Sequence, residues 1–258
     1  MFEPRYNFGL YHWRRRLGAI AIAAVTITIA TVVGRRTQRR SRRIAALLVA
    51  LVAAVHGFQA ARRLGFPAPW AIERYKYDAL AARLPLDEAA RVLDIGCGTG
   101  RSLVGLAPHV PNGATVIGLD VFDDRVILGN APQLAKRNAD RAGLAVEPVV
   151  GDAATLPLRD DSVDVATACR VLHDLPASAV DEMLRELRRV CTTDGTIGVL
   201  ELPLVPDGVE GDPDPERYWT SRVTDADFEI RTVDRLERTN RTEPYVVIVA
   251  SPDASTVE

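Results

Sequence analysis

The stretch VLDIGCGTGR at residues 92–101 restricts the fold more than any other part of the sequence. An apolar run ends at Ile95, a glycine-rich turn follows, and helical spacing then begins. Gly96, Gly98 and Gly100 lack a Cβ, so the backbone can turn tightly there and approach a ligand closely. A strand, a glycine turn and a helix in this order predict an α/β sheet that binds a nucleotide-like ligand at its carboxyl edge.

The sequence after this turn continues to alternate between strand and helix patterns. Strands are predicted at 91–95, 115–119, 146–150, 163–168, 196–201, 227–235 and 244–250. Helices are predicted at 71–84, 101–108, 131–142, 177–190 and 214–223. This alternation predicts a Rossmann-like, doubly wound sheet of seven strands with helices on both faces. A short polar stretch, ERTNRT, separates the last two strands, so the last strand is expected to run antiparallel.

The N-terminal part has a different pattern, typical of a transmembrane helical segment. Residues 17–34 are eighteen consecutive uncharged residues, mostly apolar, which as a helix just span a hydrocarbon core of about 30 Å. Arg14–Arg16 precede this run, and six arginines follow it in RRTQRRSRR at 35–43. A second apolar run covers residues 44–55.

Charge also separates the two parts of the chain. Residues 1–65 contain twelve arginines, no lysine and one acid, a net charge of +11, whereas residues 66–258 carry −13. The basic end is suited to anionic lipid headgroups, and the acidic remainder argues against nucleic acid as a partner. We therefore predict a membrane anchor at 1–65, of one or two transmembrane or interfacial helices, and a soluble domain at 66–258.

Two membrane topologies fit the anchor. A single span at 17–34 places the arginines of 35–43 in the cytoplasm, as the positive-inside rule favours, with the second run at the interface or against the soluble domain. A two-helix hairpin places both ends of the anchor on one side. The single span at the cell membrane, with the soluble domain facing the cytoplasm, is favoured. Arginines on both sides of the first run disfavour a cleaved signal peptide or a buried helical pair.

Acidic residues lie near or just after the ends of three predicted strands at the same edge. Asp94 precedes the glycine turn, where it can attract a cationic group but would repel a pyrophosphate. Asp120 ends the second strand, where a carboxylate can bind both ribose hydroxyls, and Val121 can contact an adenine face. Asp152 and Ala153 follow the third strand and can bind the edge of adenine. With GxGxG spacing instead of GxGxxG, these residues favour S-adenosylmethionine (SAM) over a nicotinamide cofactor.

The motifs LDIGCGTG, GLD, GDAATLPL, VLHDL and LRELRRVCTTDGTIGVLELP together resemble class I SAM-dependent methyltransferases, nearest the ubiquinone/menaquinone-type and small-molecule branch. The resemblance covers about residues 72–250. The segment GLDVFDDRVILGNAPQLAKRNADRAGL looks like a membrane-anchored bacterial and archaeal subgroup. The family's cofactor roles carry over to Asp94, Gly96, Gly98, Asp120, Asp152 and Ala153. The predicted cofactor site also includes Cys97, Gly100, Val121 and Cys169.

The resemblance implies methyl transfer from SAM to a small-molecule, lipid or quinone-like acceptor. His173, after the fourth strand, is the candidate general base, because its unperturbed pKa of about 6.5 suits proton transfer near neutral pH. Lining the pocket is the alternative role for His173. Cys169 and Arg170 are expected to border the methionine part of SAM or the acceptor. Glu201 ends the fifth strand and is interpreted as either a substrate contact or a structural acid.

Two other functions stay open from the sequence. One is a non-catalytic SAM-binding membrane protein, and the other is a nicotinamide-dependent oxidoreductase on the same kind of sheet. The three cysteines are far apart and the chain has four histidines, so neither a disulfide framework nor a zinc site is expected.

Overall fold

The computed structural model describes residues 5–66, 68–206, 208–211, 213–239 and 241–253. The chain divides into two compact units. The helical unit contains the residues up to Ala71 together with Asp123–Asn130, and the sheet unit contains Ile72–Phe122 and the residues from Ala131 onward. The division at Ala71 lies six residues beyond the boundary predicted at residue 65. Inclusion of the segment 123–130 in the helical unit was not predicted.

Two long helices dominate the helical unit, α1 at Trp13–Arg36 and α2 at Arg40–Gly65. Three residues, 37–39, connect the helices, which pack against each other in antiparallel orientation. Their contact uses small residues, since a Cβ added to Gly57 would lie 2.8 Å from the Cβ of Ala23. Small residues at a helix contact let two backbones approach closely, as is common between helices in membranes.

Most large apolar side chains of α1 and α2 are exposed. Ile22 and Leu47 are each 70% exposed, and Phe58 is 69% exposed. Both helices are long and apolar enough to cross a membrane. The second is longer than the predicted apolar run at 44–55, because the polar residues on either side of that run continue the helix.

A short pair of antiparallel strands, Leu10–Tyr11 and Ile127–Leu128, ties the later segment to the start of the helical unit. Trp13 Nε1 donates a hydrogen bond to the carbonyl oxygen of Asp124 at 2.8 Å. The side chain of Asp124 forms an ion pair with Arg14 at 3.5 Å. The helical unit is therefore assembled from two parts of the chain that lie more than 100 residues apart.

The sheet unit is built around seven strands. In chain order they are β1 Arg91–Ile95, β2 Thr115–Asp120, β3 Glu147–Val150, β4 Val163–Cys169, β5 Cys191–Glu201, β6 Phe228–Leu236 and β7 Tyr245–Pro252. Their spatial order is β3-β2-β1-β4-β5-β7-β6, and β7 runs antiparallel to both of its neighbours. The predicted Rossmann-like sheet with an antiparallel last strand is confirmed.

Helices cover both faces of this sheet. They are α3 Arg74–Ala81, α4 Arg101–Leu106, α5 Pro132–Ala142, α6 Ala177–Val190 and α7 Pro215–Thr224. One apolar core contains Met183 of α6 and Trp219 of α7, and the other contains Tyr77 of α3 and Leu103 of α4. The strand order reverses direction between β1 and β4, and ligands of open α/β sheets bind at such a switch point.

Candidate cofactor and acceptor site

The ends of four parallel strands meet at the switch point of the sheet. Ile95 at the end of β1 is aligned with Leu119 of β2 on one side and with Ala168 of β4 on the other. Asp120 is aligned with Val150 at the end of β3. The predicted cofactor residues follow or end these strands, so the fold brings them to one edge of the sheet.

Close packing around the turn after β1 leaves no room for a Cβ at two of its glycines. Gly96 and Gly100 have φ angles of 66° and 82°, in the left-handed region that favours glycine. A Cβ on Gly96 would overlap a methyl group of Val171, and a Cβ on Gly100 would lie 2.9 Å from the carbonyl oxygen of Ala135. The backbone of this turn is therefore held close to its neighbours, in the way that close approach to a ligand requires.

Asp94 lies beneath the turn and is fully buried. One of its carboxylate oxygens accepts a hydrogen bond from Ser102 Oγ at 2.5 Å, and the other accepts one from Thr167 Oγ1 at 2.7 Å. Burial raises the pKa of Asp94 to about 6, although the two hydroxyl donors act in the opposite direction. Asp94 thus connects β1 with α4 and β4, and both of its oxygens are engaged inside the protein.

Asp120 connects the glycine turn with the ends of β2 and β3. Its Oδ2 accepts a hydrogen bond from the Gly98 amide at 3.0 Å, and its Oδ1 accepts one from the Phe122 amide at 2.6 Å. The Gly151 amide donates to the Asp120 carbonyl oxygen at 3.1 Å. The next residue, Val121, has an apolar side chain that is 59% exposed.

The loop after β3 presents the remaining predicted adenine contacts. Asp152 is exposed, and its Oδ1 accepts a hydrogen bond from the Ala154 amide at 3.0 Å. Ala153 is half-buried and packs against the apolar core that contains the ends of β2 and β4. The carboxylate and the adjacent amide group are therefore fixed beside the end of β3 by a local turn.

The chain turns sharply where β4 ends. Cys169 is buried, and burial raises the pKa of its thiol well above the usual range, so the thiol stays neutral. Arg170 has a φ angle of 62°, which is uncommon for a residue with a long side chain. Its amide donates to the carbonyl oxygen of Leu200 in β5 at 2.7 Å. This turn leads directly into a short 3₁₀ helix at Leu172–Asp174.

His173, in that 3₁₀ helix, forms a pair with Glu201 at the end of β5. Its Nδ1 lies 2.5 Å from Glu201 Oε1, and the side chain of His173 is 13% exposed while that of Glu201 is fully buried. Burial lowers the pKa of His173, but the hydrogen bond and the charge of Glu201 outweigh it, so the pKa is raised overall. Sequence patterns could not pair these residues, because they lie 28 positions apart, one after β4 and the other at the end of β5.

A buried lysine, absent from the predicted site, lies near the same edge. Lys76 of α3 is 2% exposed, and its Nζ lies 2.8 Å from Glu73 Oε2 and 3.3 Å from the hydroxyl oxygen of Tyr245. Its positive charge also acts on the thiol of Cys169. The helical spacing of 71–84 gave no signal for this residue, because lysine usually lies on the exposed face of a helix.

Comparison with known proteins supports the same assignment for this region. Residues 92–195 match a family model for a methyltransferase domain. A demethylmenaquinone methyltransferase of Lactobacillus johnsonii is 34% identical over 109 residues, which is 42% of each chain. The 27-O-demethylrifamycin SV methyltransferase of Amycolatopsis mediterranei is 31% identical over 140 residues, 54% of this chain and 48% of that one. The match spans less than half the length of these two relatives.

A solved structure supports the fold of the sheet unit. A SAM-dependent methyltransferase from Aquifex aeolicus superposes with a TM-score of 0.52 at 22% identity, covering 67% of this chain and 88% of that chain. The family match covers the glycine turn, Asp120, Asp152 and His173. Residues 92–195 therefore match a methyltransferase domain, in a sheet unit that has the fold of a SAM-dependent methyltransferase.

Proposed function

We propose that this protein transfers a methyl group from SAM to an apolar small-molecule acceptor of the quinone type at a membrane. The observation that carries the proposal is the hydrogen bond between the Gly98 amide and Asp120, at 3.0 Å. This contact joins the glycine turn to an acid at the end of β2, and it supports a site in which a nucleoside with a charged tail contacts both. The names of the two curated relatives, one for demethylmenaquinone and one for a demethylrifamycin, support a small organic acceptor.

The residues at the sheet edge fit the nucleoside part of SAM. In this proposal Asp120 accepts hydrogen bonds from the ribose hydroxyls, and Val121 covers one face of adenine. Asp152 accepts a hydrogen bond from the adenine amine, and the Ala153 amide faces a ring nitrogen. The local turn at Asp152 and the exposed side chain of Val121 support these assignments.

The amino-acid end of SAM is assigned to the other side of the glycine turn. The backbone from Gly96 through Cys97 and Gly98 to Gly100 contacts it, and Cys169 borders the methionine part. Asp94 acts on the positive charge at a distance, because its carboxylate is fully buried beneath the turn. When bound, SAM supplies a methyl group already activated on a sulfonium. The main contribution of the protein to the rate is then to hold the acceptor in line with that group.

We further propose that α1 and α2 insert into the cell membrane as a hairpin, with the sheet unit in the cytoplasm, where SAM is made. Two antiparallel helices of 24 and 26 residues joined by three residues favour this arrangement over the single span that the sequence favoured. A membrane location gives the enzyme direct access to acceptors that dissolve in lipid. The six arginines between the two apolar runs would then lie near headgroups of the outer leaflet, against the positive-inside rule.

A cysteine at Thr37 tests this topology. In intact cells a membrane-impermeant maleimide should label T37C from outside, because the hairpin places the connection between α1 and α2 there. The natural cysteines Cys97, Cys169 and Cys191 are buried and should react slowly. A cysteine at exposed Asp160 of the sheet unit should be labelled only after lysis. Labelling of D160C but not T37C in intact cells would contradict the proposed orientation.

The proposed activity is tested with the full-length protein in detergent. Calorimetry should show binding of SAM and no binding of NAD, and methyl-labelled SAM should transfer label to reduced demethylmenaquinone. Binding of SAM without formation of S-adenosylhomocysteine across a set of quinols and phenols would favour the non-catalytic alternative. Binding of NAD instead of SAM would favour an oxidoreductase.

A further inference from the structure

We infer that Glu201 is a positioning residue that makes His173 the general base of the reaction. The compound that accepts the methyl group is then one that loses a proton on methylation. Acceptors of this class carry a hydroxyl, such as that of a phenol or quinol, or an acidic C–H. The inference rests on the proposed methyl transfer, and it adds both a role for Glu201 and a chemical class for the acceptor.

Three donors fix the carboxylate of Glu201 in the interior. Its Oε2 accepts a hydrogen bond from the Leu172 amide at 2.9 Å, and its Oε1 accepts one from the Leu202 amide at 2.7 Å. The third donor is Nδ1 of His173. A fully buried carboxylate held by two backbone amides cannot turn away from the imidazole without leaving those amides unpaired.

This pairing determines which ring nitrogen of His173 is available. A carboxylate accepts hydrogen bonds, so the proton of the neutral imidazole lies on Nδ1 and the lone pair lies on Nε2. The opposite edge of the ring therefore carries the basic nitrogen. The side chain of His173 is 13% exposed, so the ring is not sealed in the core with Glu201.

The charges around His173 favour the protonated ring. Glu201 and Asp174 are the acids that face it, with Asp174 Oδ1 at 3.6 Å from Nε2, and Arg170 is the opposing cation. An imidazolium formed by proton transfer lies between two carboxylates. The Asp174 side chain is 67% exposed, so it can move aside for an acceptor.

The pair lies at the edge where the cofactor residues meet. Val171, two residues before His173, covers Gly96 of the glycine turn with a methyl group. The hydrogen bond between the Arg170 amide and Leu200 holds the ends of β4 and β5 side by side. His173 therefore follows β4, which borders the switch point, and Glu201 ends the neighbouring strand β5.

The reaction balances with His173 as the base. The proton of the acceptor hydroxyl, or of its acidic C–H, moves to Nε2 as the oxygen or carbon forms its bond to the methyl group. The bond between that methyl group and sulfur breaks, and its electron pair stays on sulfur, which gives S-adenosylhomocysteine. The imidazolium then releases the proton to water. A neutral amine is nucleophilic enough to take the methyl group before it loses a proton, so it has no need of this arrangement.

Nuclear magnetic resonance of the full-length protein labelled with ¹⁵N-histidine tests the pairing without an acceptor. The wild type should show His173 with its proton on Nδ1 and a pKa above that of an ordinary histidine. E201Q should lower that pKa and shift the ring toward a mixture of tautomers. E186Q is the matched control, since Glu186 also accepts a backbone amide, that of Leu156 at 2.8 Å, but pairs with Arg189 and not with His173. An unchanged pKa and tautomer of His173 in E201Q would overturn the inference.

Kinetics with reduced demethylmenaquinone test the catalytic role. E201Q should lower kcat about 10- to 100-fold and H173N about 100-fold or more, with KM for SAM unchanged, because general bases contribute about 10²–10⁴-fold. The rise of kcat with pH through the His173 pKa should move to lower pH in E201Q and disappear in H173N. If E201Q does not fold, H173N decides alone, and an unchanged pH profile would refute the base. Failure of the wild type to methylate any acceptor would refute the proposed activity, whereas the resonance experiment would still report on the pair.

Discussion

The helical unit and the sheet unit place their large apolar side chains in opposite ways. In the sheet unit Leu93 and Trp219 are fully buried, whereas in the helical unit Ile22 and Leu47 expose 70% of their surface. A water-soluble protein rarely leaves so much contiguous apolar surface uncovered, whereas a protein in lipid has no reason to bury it. The difference supports the proposal that lipid surrounds α1 and α2, whereas water surrounds the sheet.

Arginine is used differently in the two units as well. Arg189 of the sheet unit lies 2.7 Å from Glu186 and 2.6 Å from Asp160. By contrast, the sequences of α1 and α2 contain arginine at both ends and no acidic residue. Arginines that lack acids on their own helix suit the phosphates of lipid headgroups, each contributing on the order of 1 kcal/mol.

The largest expected effect tests whether a residue of the sheet unit binds the cofactor without affecting how the helical unit associates with the membrane. D120A removes the carboxylate proposed to bind both ribose hydroxyls, each worth about 1.5–3 kcal/mol as a charged hydrogen bond. We expect SAM affinity, measured by calorimetry, to fall at least 100-fold while the protein stays in the membrane fraction.

The control for D120A is D164N. Asp164 accepts hydrogen bonds from the Ala90 and Arg91 amides at 2.9 and 2.8 Å, at the opposite end of the strands. It should change stability but not SAM affinity. Equal losses of affinity in the two variants would show that Asp120 acts on the fold and not on the cofactor.

The next effect tests the lipid surroundings of the helical unit. L51D and L204D place the same charge at side chains of similar exposure, 61% in α2 and 51% in the sheet unit. An aspartate in the middle of a membrane helix costs about 3 kcal/mol or more relative to leucine, whereas on a wetted surface it costs little. We expect L51D to move protein from the membrane to the soluble or aggregated fraction in cell fractionation. If both variants fractionate like the wild type, the proposed insertion of α2 is wrong.

Periodicity predicted the elements of the sheet unit closely. The bounds of β1 and α6 were predicted to the residue, because alternating and helical patterns are strong where one face is buried. Periodicity predicted the bounds of two helices less well. The helix α2 continues through polar residues on either side of the apolar run, and α3 is shorter than the predicted 71–84. The pairing of Leu10–Tyr11 with Ile127–Leu128 had no signal, since strands of two residues carry no pattern.

The candidate site was predicted as a set of positions and not as a set of contacts. Asp94, Asp120 and Asp152 were identified because each lies near or just after the end of a strand, and chain topology alone brings such residues together. Burial turned Asp94 inward onto two hydroxyls, and side-chain packing paired His173 with Glu201. Contacts of this kind depend on strand register and rotamers, which a single sequence does not specify.

A smaller effect concerns how the stability of the sheet unit depends on pH. The pKa of Asp94 in the fold, about 6, lies above the value of about 3.9 for an unfolded aspartate. The protonated form therefore favours the fold, and the stability it contributes is present below pH 4 and lost as pH rises through 6. D94N should remove this loss, which amounts to at most about 3 kcal/mol, partly offset by altered hydrogen bonds. Urea unfolding of wild type and D94N at pH 4.5 and 7.5 measures it, and parallel pH dependence in the two proteins would contradict the assigned burial.

The smallest expected effect concerns how the helices of the helical unit hold together. A Cβ on Gly57 meets Ala23 at 2.8 Å, whereas a Cβ on Gly18 of α1 meets nothing within 4 Å. G57V should therefore separate α1 from α2. The clash should lower stability by about 1–3 kcal/mol, the usual cost of overpacking, in addition to any effect of valine on the helix itself. G18V carries that effect of valine without the clash. Circular dichroism during titration with sodium dodecyl sulfate compares the two variants, and equal midpoints would mean that α1 and α2 do not depend on this small-residue contact.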